Sequence, residues 1–167
     1  DELRDELTKL GYKFTSQTDT EVIAHLVDHL YTGDLFETVQ QAVKRLHGAY
    51  AIAVFCREEP HRVIAARQGS PLIVGVGKEE NFVASDAMAL AGTTDQIIYL
   101  DEGDVVDLQL GRVRIVDAQG REPTAAQRPV RTVAAYSTAV ELGPYRHYMQ
   151  KEIFEQPKAV ADTLDPL

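Results

Sequence analysis

The chain has 167 residues, a hydrophobic fraction of 44% and a formal net charge of −9 at pH 7. That apolar content excludes a disordered chain, and the acidic balance disfavours a general nucleic-acid binder. No apolar run approaches the roughly 20 residues of a membrane helix, and the one cysteine excludes an internal disulfide and suits a reducing, cytoplasmic location.

Three helices are predicted in the first third of the chain, because apolar residues recur there every three or four positions. The first covers residues 1–10 and the third covers residues 34–46. The second begins at Thr18 or Asp19, where Thr18 to Glu21 has the S/T-x-x-E form of a capping box. A helical layer is therefore expected ahead of any sheet.

After residue 48 the apolar pattern becomes that of strands. Residues 49–57 form a nearly continuous apolar run, which predicts a strand buried on both faces. Shorter strands separated by turns, with one or two helical turns at 86–90, are predicted at residues 62–67, 71–76, 81–85, 96–100, 104–110 and 112–116. Helices followed by an antiparallel meander indicate an α+β fold with segregated layers.

The last part of the sequence has a different character. Residues 121–143 show no periodicity and are predicted to be a linker lying over the surface. Pro144 is predicted to open a further helix as its first-turn proline, and Pro157 is predicted to end it. Because both ends of the sequence fall within helical patterns, we interpret it as a piece of a longer protein, with removal of a tag or initiator as the alternative.

Few residues offer chemistry by themselves. Cys56 lies in an apolar strand, where burial raises the pKa of a thiol and blocks access, so it is expected to be an inert core residue. His25 and His29 have the spacing of two zinc ligands, but the adjacent glutamate of a zinc-protease helix is absent, and a solvated polar face that also includes Glu21 explains them. No metal or cofactor is expected.

Asp19 has two open interpretations. At a helix start it can accept hydrogen bonds from free backbone N–H groups, which is a structural role. The helix dipole also favours its ionised form, and an ionised carboxylate can bind the ammonium group of a substrate. From the residues alone, the chain is an α+β domain without a self-contained catalytic set.

Three segments resemble the glutaminase domains of the glucosamine-6-phosphate synthase family, which belongs to the class-II amidotransferases. These segments are residues 16–26, 48–86 and 145–157, so the resemblance spans nearly the whole chain. Gln68 favours the sugar branch, because the purine and asparagine branches usually have Asp after the preceding arginine.

The resemblance implies a four-layer αββα fold of the N-terminal-nucleophile hydrolase type, incomplete at its N-terminus. It divides the chain into a partial glutaminase domain at residues 1–120, a linker at 121–143 and a junction helix at 144–167. That helix would lead toward the sugar-phosphate isomerase domain of the same polypeptide.

The resemblance also implies a mechanism. In the family an N-terminal cysteine attacks the side-chain amide of L-glutamine, and the ammonia converts fructose 6-phosphate into glucosamine 6-phosphate. Asp19 matches the aspartate that holds the α-ammonium group of glutamine. The nucleophile and the family's Arg-Trp and His-Asn-Gly elements are not in this sequence. We therefore expect no catalytic residue in this chain and no activity from it alone.

Two further expectations concern assembly and alternatives. Without the strands with which family members begin, residues 49–57 are expected to expose an unpaired edge, which favours a homo-oligomer. The alternatives are a fragment of another class-II amidotransferase and a non-catalytic binding or scaffold domain of the same fold.

Overall fold

The structure, a computed structural model, describes residues 2–133 and 142–164. Its helices are α1 Glu2–Lys9, α2 Asp19–Leu30, α3 Leu35–Val43, a 3₁₀ helix Ala87–Leu90, and α4 Tyr148–Leu164. Its strands are β1 Tyr50–Val54, β2 Arg62–Gln68, β3 Ile73–Val76, β4 Asn81–Ala84, β5 Gln96–Tyr99, β6 Val105–Gln109, β7 Arg112–Val116 and β8 Arg131–Thr132. None of the helices in the described ranges is long and apolar enough to cross a membrane.

The strands form two antiparallel sheets, which confirms the α+β class. The first sheet has the order β1-β2-β6-β7 and the second has the order β4-β3-β5-β8. In β2, Ile64 and Ala66 face the helices, whereas Ala65 faces the second sheet, because successive side chains of a strand point to opposite faces. The first sheet therefore separates two apolar cores.

The layers follow in the order expected for this fold. Helices α1 to α3 contribute buried side chains such as Leu7, Leu26 and Phe36 to the core on one face of the first sheet. The second core lies between the sheets, and the outer face of the second sheet carries the 3₁₀ helix through Leu90. Among the described residues, that short helix is what packs on the outer face.

Strand β1 differs from the prediction for the burial of its faces but agrees with the prediction of an open edge. Its burial alternates, with Ala51 and Ala53 exposed, so the expectation of a strand buried on both faces is wrong. It pairs only with β2 among the described strands and leaves its other edge open, as predicted. Cys56 follows this strand and is half-buried against the helix-side core rather than enclosed within a strand.

The C-terminal predictions also need correction. Helix α4 begins at Tyr148 rather than Pro144, and Pro157 lies inside it instead of ending it. Pro157 is exposed, so the carbonyl group that loses its partner there can be hydrated. The predicted linker contains β8, which pairs with β5. Residues 134–141 of that linker, residues 165–167 of the junction helix and residue 1 lie outside the described residues.

Candidate functional site

A groove of about 830 Å³ opens between α1, the start of α2 and the segment that joins α3 to β1. All three elements contribute polar or charged side chains to its lining, which include Arg4, Glu6, Asp19, Arg45, His47 and Tyr50. The groove is the place where the first helical layer meets the open-edged strand β1.

Asp19 is the first residue of α2, but it is not the residue that caps the helix. That role belongs to Thr18, whose hydroxyl accepts a hydrogen bond of 3.3 Å from the backbone N–H of Glu21. Within the described ranges, the Asp19 carboxylate has one hydrogen-bond partner, the Thr20 hydroxyl at 3.5 Å. Since Asp19 is exposed and lines the groove, its carboxylate keeps lone pairs for a ligand.

The loop of residues 15–18, which leads into α2, is held by Glu21. One carboxylate oxygen accepts hydrogen bonds from the Thr15 backbone N–H at 2.7 Å and the Thr15 hydroxyl at 3.0 Å. The other accepts from the Ser16 backbone N–H at 2.7 Å and the Ser16 hydroxyl at 2.5 Å. These bonds, above all that from the Ser16 hydroxyl, lower the pKa of Glu21 from 4.5 to about 2.

The predicted capping box is therefore half confirmed. The threonine end forms as expected, because Thr18 accepts from the Glu21 N–H. The Glu21 carboxylate, however, bonds residues 15 and 16, whereas the Thr18 N–H donates to the Ser16 hydroxyl at 3.2 Å. The Glu21 carboxylate thus binds Thr15 and Ser16 instead of the N–H group of the capping residue, which is its partner in a standard capping box.

Arg4 holds the same loop from the groove side. Its guanidinium donates to the Ser16 carbonyl at 3.0 Å and to the Thr18 carbonyl at 3.2 Å, and it lies 4.3 Å from the centre of the Phe14 ring. Arg45 is 2.5 Å from a carboxylate oxygen of Glu6. Both arginines of the groove are thus engaged in short contacts with protein groups, whereas the carboxylate of Asp19 has, among the described residues, the long contact with the Thr20 hydroxyl alone.

The opposite wall of the groove is set by a tight approach of two chain segments. Tyr50 pairs with Gln68 in the β1–β2 register, and a Cβ atom at Gly69 would lie 2.8 Å from that of Ala49. Gly69 has a φ of +70°, and its N–H donates to Glu102 at 2.6 Å. Burial, followed by the charge of Glu102, raises the pKa of Tyr50.

The other residues singled out from the sequence do not join this groove. The His25 ring packs 4.9 Å from that of Tyr12 and 4.8 Å from that of Phe14, so the interpretation of a solvated face is wrong at this position. His29 lies on the exposed side of α2. No group of three metal-binding side chains occurs within residues 2–133 and 142–164. Cys56 does not line the groove.

Two side chains that hold the loop at this groove are not indicated by the sequence analysis. The sequence pattern places Glu21 on a solvated face and gives no role to Arg4, yet together they fix the loop before Asp19. A signal for Glu21 is present, because three hydroxyl residues at positions 15, 16 and 18 supply more donors than one capping bond uses. No local pattern predicts Arg4, since its partners lie 12 and 14 residues away.

Comparison with known sequences identifies close relatives. Residues 1–92 match the family described as "Glutamine amidotransferase domain". The whole chain is 71% identical to the glutamine–fructose-6-phosphate aminotransferase (isomerizing) of Bordetella pertussis. Over 99% of its length it is 50% identical to the protein of the same name from Xanthomonas campestris. The chain spans about a quarter of these relatives, namely 27% of each.

Comparison with solved structures supports the same fold. A glutamine phosphoribosylpyrophosphate amidotransferase from B. subtilis matches 72% of this chain and 27% of its own, with a TM-score of 0.62 and 23% identity. An allosteric regulatory enzyme of purine biosynthesis matches 70% of this chain and 25% of its own, with a TM-score of 0.60 and 26% identity. The likeness to the first structure shows the fold alone.

Proposed function

The chain belongs to the glutamine amidotransferase domain family, and on that premise we propose that it forms part of the glutaminase domain of a glutamine–fructose-6-phosphate aminotransferase. The parent enzyme releases ammonia from L-glutamine and transfers it to fructose 6-phosphate, which yields glucosamine 6-phosphate for hexosamine synthesis. The 71% identity over the whole chain to the Bordetella relative of that name supports this proposal. We also propose a cytoplasmic location for the parent, which is supported by the free thiol of Cys56 in this segment.

In this enzyme, Asp19 binds the α-ammonium group of glutamine. The observation that carries this assignment is an exposed carboxylate at a helix start that does not cap the helix and that lines a groove of about 830 Å³. A hydrogen bond between ionised partners contributes about 1.5–3 kcal/mol. Asp19 also lies in the first turn of α2, next to the positive end of the helix dipole.

The chain by itself is expected to bind glutamine weakly and to show no turnover. Cysteine is the nucleophile that the proposed reaction uses, and Cys56, the one cysteine of the sequence, is not among the residues that line the groove. A glutaminase assay on the purified 167-residue chain tests this, and sustained release of glutamate would contradict it.

The role of Asp19 can be tested in the full-length protein that carries this segment. Asp19→Asn removes the charge and keeps the size, so the KM for glutamine should rise roughly 10- to 100-fold. Inhibition by 4-carbamoylbutanoate, which is glutamine without its α-amino group, should stay unchanged because it makes no contact with Asp19. Asp5→Asn is the matched control, since Asp5 is exposed on α1 and does not line the groove. An unchanged KM in Asp19→Asn would overturn the assignment.

We also propose that α4 contacts the sugar-phosphate isomerase domain of the same polypeptide. Six large apolar side chains are more than half exposed among its described residues, and four of them lie in its first two turns: Tyr148, Met149, Ile153 and Phe154. A relative almost four times as long leaves room for such a domain. Hydrogen–deuterium exchange at residues 148–154 should be slower in the full-length protein than in the 167-residue chain, and equal exchange would contradict the contact.

The open edge of β1 supports self-association, and we propose a homo-oligomer. An unpaired strand edge presents backbone donors and acceptors to a second copy. Light scattering of the 167-residue chain at micromolar concentration should give at least a dimer mass, and Ala53→Lys on this exposed strand should shift it toward the monomer. A monomeric mass of the unaltered chain would contradict the proposal.

A further inference from the structure

Glu21 forms a closed set of hydrogen bonds with the loop that precedes Asp19. Its own N–H donates to the Thr18 hydroxyl at 3.3 Å, and the Thr18 and Ser16 hydroxyl oxygens are 2.8 Å apart. The Ser16 hydroxyl donates to the Glu21 carboxylate at 2.5 Å. Because each hydroxyl has a single proton, these contacts close into a ring with one direction: Glu21 N–H to Thr18, Thr18 to Ser16, and Ser16 to the Glu21 carboxylate.

From this ring we infer that Glu21 is a positioning residue for glutamine binding, because it fixes the loop and the helix cap that set the direction of the Asp19 carboxylate. The inference rests on the proposed function of Asp19. Glu21 itself does not line the groove, so it acts through its neighbour and not on the ligand. The loop contributes Gln17 and Thr18 to the groove lining directly before Asp19.

Both sides of the loop are held, which is what positioning requires. Glu21 accepts from the N–H groups of residues 15 and 16, and Arg4 donates to the carbonyl groups of residues 16 and 18. The first turn of α2 therefore starts from a fixed loop, although every residue from 15 to 20 is exposed. An exposed helix start without these bonds would fray, and the Asp19 carboxylate would sample several directions.

The arrangement requires a carboxylate and not merely a polar side chain. The Glu21 carboxylate accepts every hydrogen bond of its side chain, with one oxygen facing Thr15 and the other facing Ser16. The oxygen on the Thr15 side also lies 3.7 Å from Nε2 of His25. A glutamine side chain has one acceptor oxygen and one N–H₂ group, so one of the two backbone N–H groups would face a donor. Glu21→Gln thus breaks half of the network without a change in volume.

The test measures glutamine kinetics in the full-length protein. We expect Glu21→Gln to raise the KM for glutamine roughly 10-fold, with kcat within about twofold, because the displaced carboxylate weakens ground-state and transition-state binding alike. Inhibition by 4-carbamoylbutanoate should stay unchanged. Ser16→Ala, a milder change that opens the ring but keeps Glu21, should raise the KM less.

Asp34→Ala is the matched control for a merely structural effect. Asp34 caps α3, where its side chain accepts from the Glu37 N–H at 3.0 Å, and it does not line the groove. Its loss should lower the Tm and leave the KM for glutamine unchanged. An equal rise of KM in Asp34→Ala and Glu21→Gln would attribute the effect to general destabilisation and overturn the inference.

Asp19→Asn separates this inference from the proposed function. If Asp19→Asn raises the KM while Glu21→Gln and Ser16→Ala leave it unchanged, the ammonium contact stands and the positioning role of Glu21 is wrong. If Asp19→Asn also leaves the KM unchanged, the proposed function fails and the inference fails with it.

Discussion

Two sets of acidic side chains in this protein have contrasting surroundings. Asp104 and Asp107, at the β6 side of the first sheet, are almost completely buried and each faces an arginine. Asp19, at the groove, is exposed and has no charged partner among the described residues. Burial and an arginine partner therefore distinguish the carboxylates that stabilise the fold from the exposed carboxylate that is available to a ligand.

The buried region joins segments that are distant in sequence. Arg128 donates to both carboxylate oxygens of Asp104, at 2.6 and 2.9 Å, and so ties the segment before β8 to the first sheet. Arg62 contacts Asp107 in the same bidentate way, at 3.1 and 2.6 Å. The hydrogen bonds to these aspartates raise the pKa of both arginines.

Of the variants that test this contrast, Asp104→Ala is expected to lower the free energy of unfolding most. The variant removes both hydrogen bonds that Asp104 accepts from Arg128 and the acceptor of the Asp101 N–H, which together should cost about 4 kcal/mol of unfolding free energy. Urea unfolding followed by circular dichroism measures it. Asp101→Ala is the matched control, because Asp101 contacts the same arginine at 2.7 Å but is 70% exposed at its side chain, so it should cost less than about 1 kcal/mol. Equal losses would mean that burial does not separate the two partners.

The next largest loss of unfolding free energy is expected at Gly69, beside the β1 wall of the groove. It results from a steric clash and not from a lost charge. Gly69→Ala places a Cβ atom at a positive φ and 2.8 Å from that of Ala49, and we expect a loss of about 3 kcal/mol. Gly11→Ala has a φ of +97° but open space around the new atom, so conformation alone should cost about 1 kcal/mol. Urea unfolding of both variants checks the difference, and equal losses would show that the β1–β2 approach relaxes.

The two regions were not equally predictable from the sequence. The starts of α2 and α3 follow from apolar periodicity and from capping residues within four positions, and the structure agrees with both. The sequence could not decide between Thr18 and Asp19 as the cap. That choice depends on the Ser16 and Glu21 side chains, which stabilise Thr18 in the capping position.

Long-range contacts explain the remaining errors. The apolar composition of residues 49–57 predicts full burial, but a strand face is buried only where another layer covers it. The described core between the two sheets contains no side chain of β1, so Ala51 and Ala53 stay exposed. Arg128 carries no local signal, since its buried partner lies 24 residues away. Pro157 was expected to end a helix, yet its exposed position lets water satisfy the freed carbonyl group.

A smaller, pH-dependent effect is expected at Glu21. Its pKa is lowered in the folded state from 4.5 to about 2, so the stability that it contributes is fully present above pH 4.5 and is lost as the pH falls toward 2. The difference in Tm between the unaltered chain and Glu21→Gln should be constant near neutral pH and should shrink between pH 4.5 and 2. A difference independent of pH over that interval would contradict the role of the ionised carboxylate.

The smallest effect on stability is expected at Asp19 itself. Asp19→Asn loses a favourable interaction with the N-terminal dipole of α2 but also removes one negative charge from a groove that contains Glu2 and Glu6. These contributions oppose each other, so the unfolding free energy should change by less than about 0.5 kcal/mol. A loss above about 1 kcal/mol in urea unfolding would place Asp19 with the structural carboxylates. A near-zero change combined with a large rise in KM would instead show that this carboxylate is retained for its ligand, because the fold gains almost nothing from it.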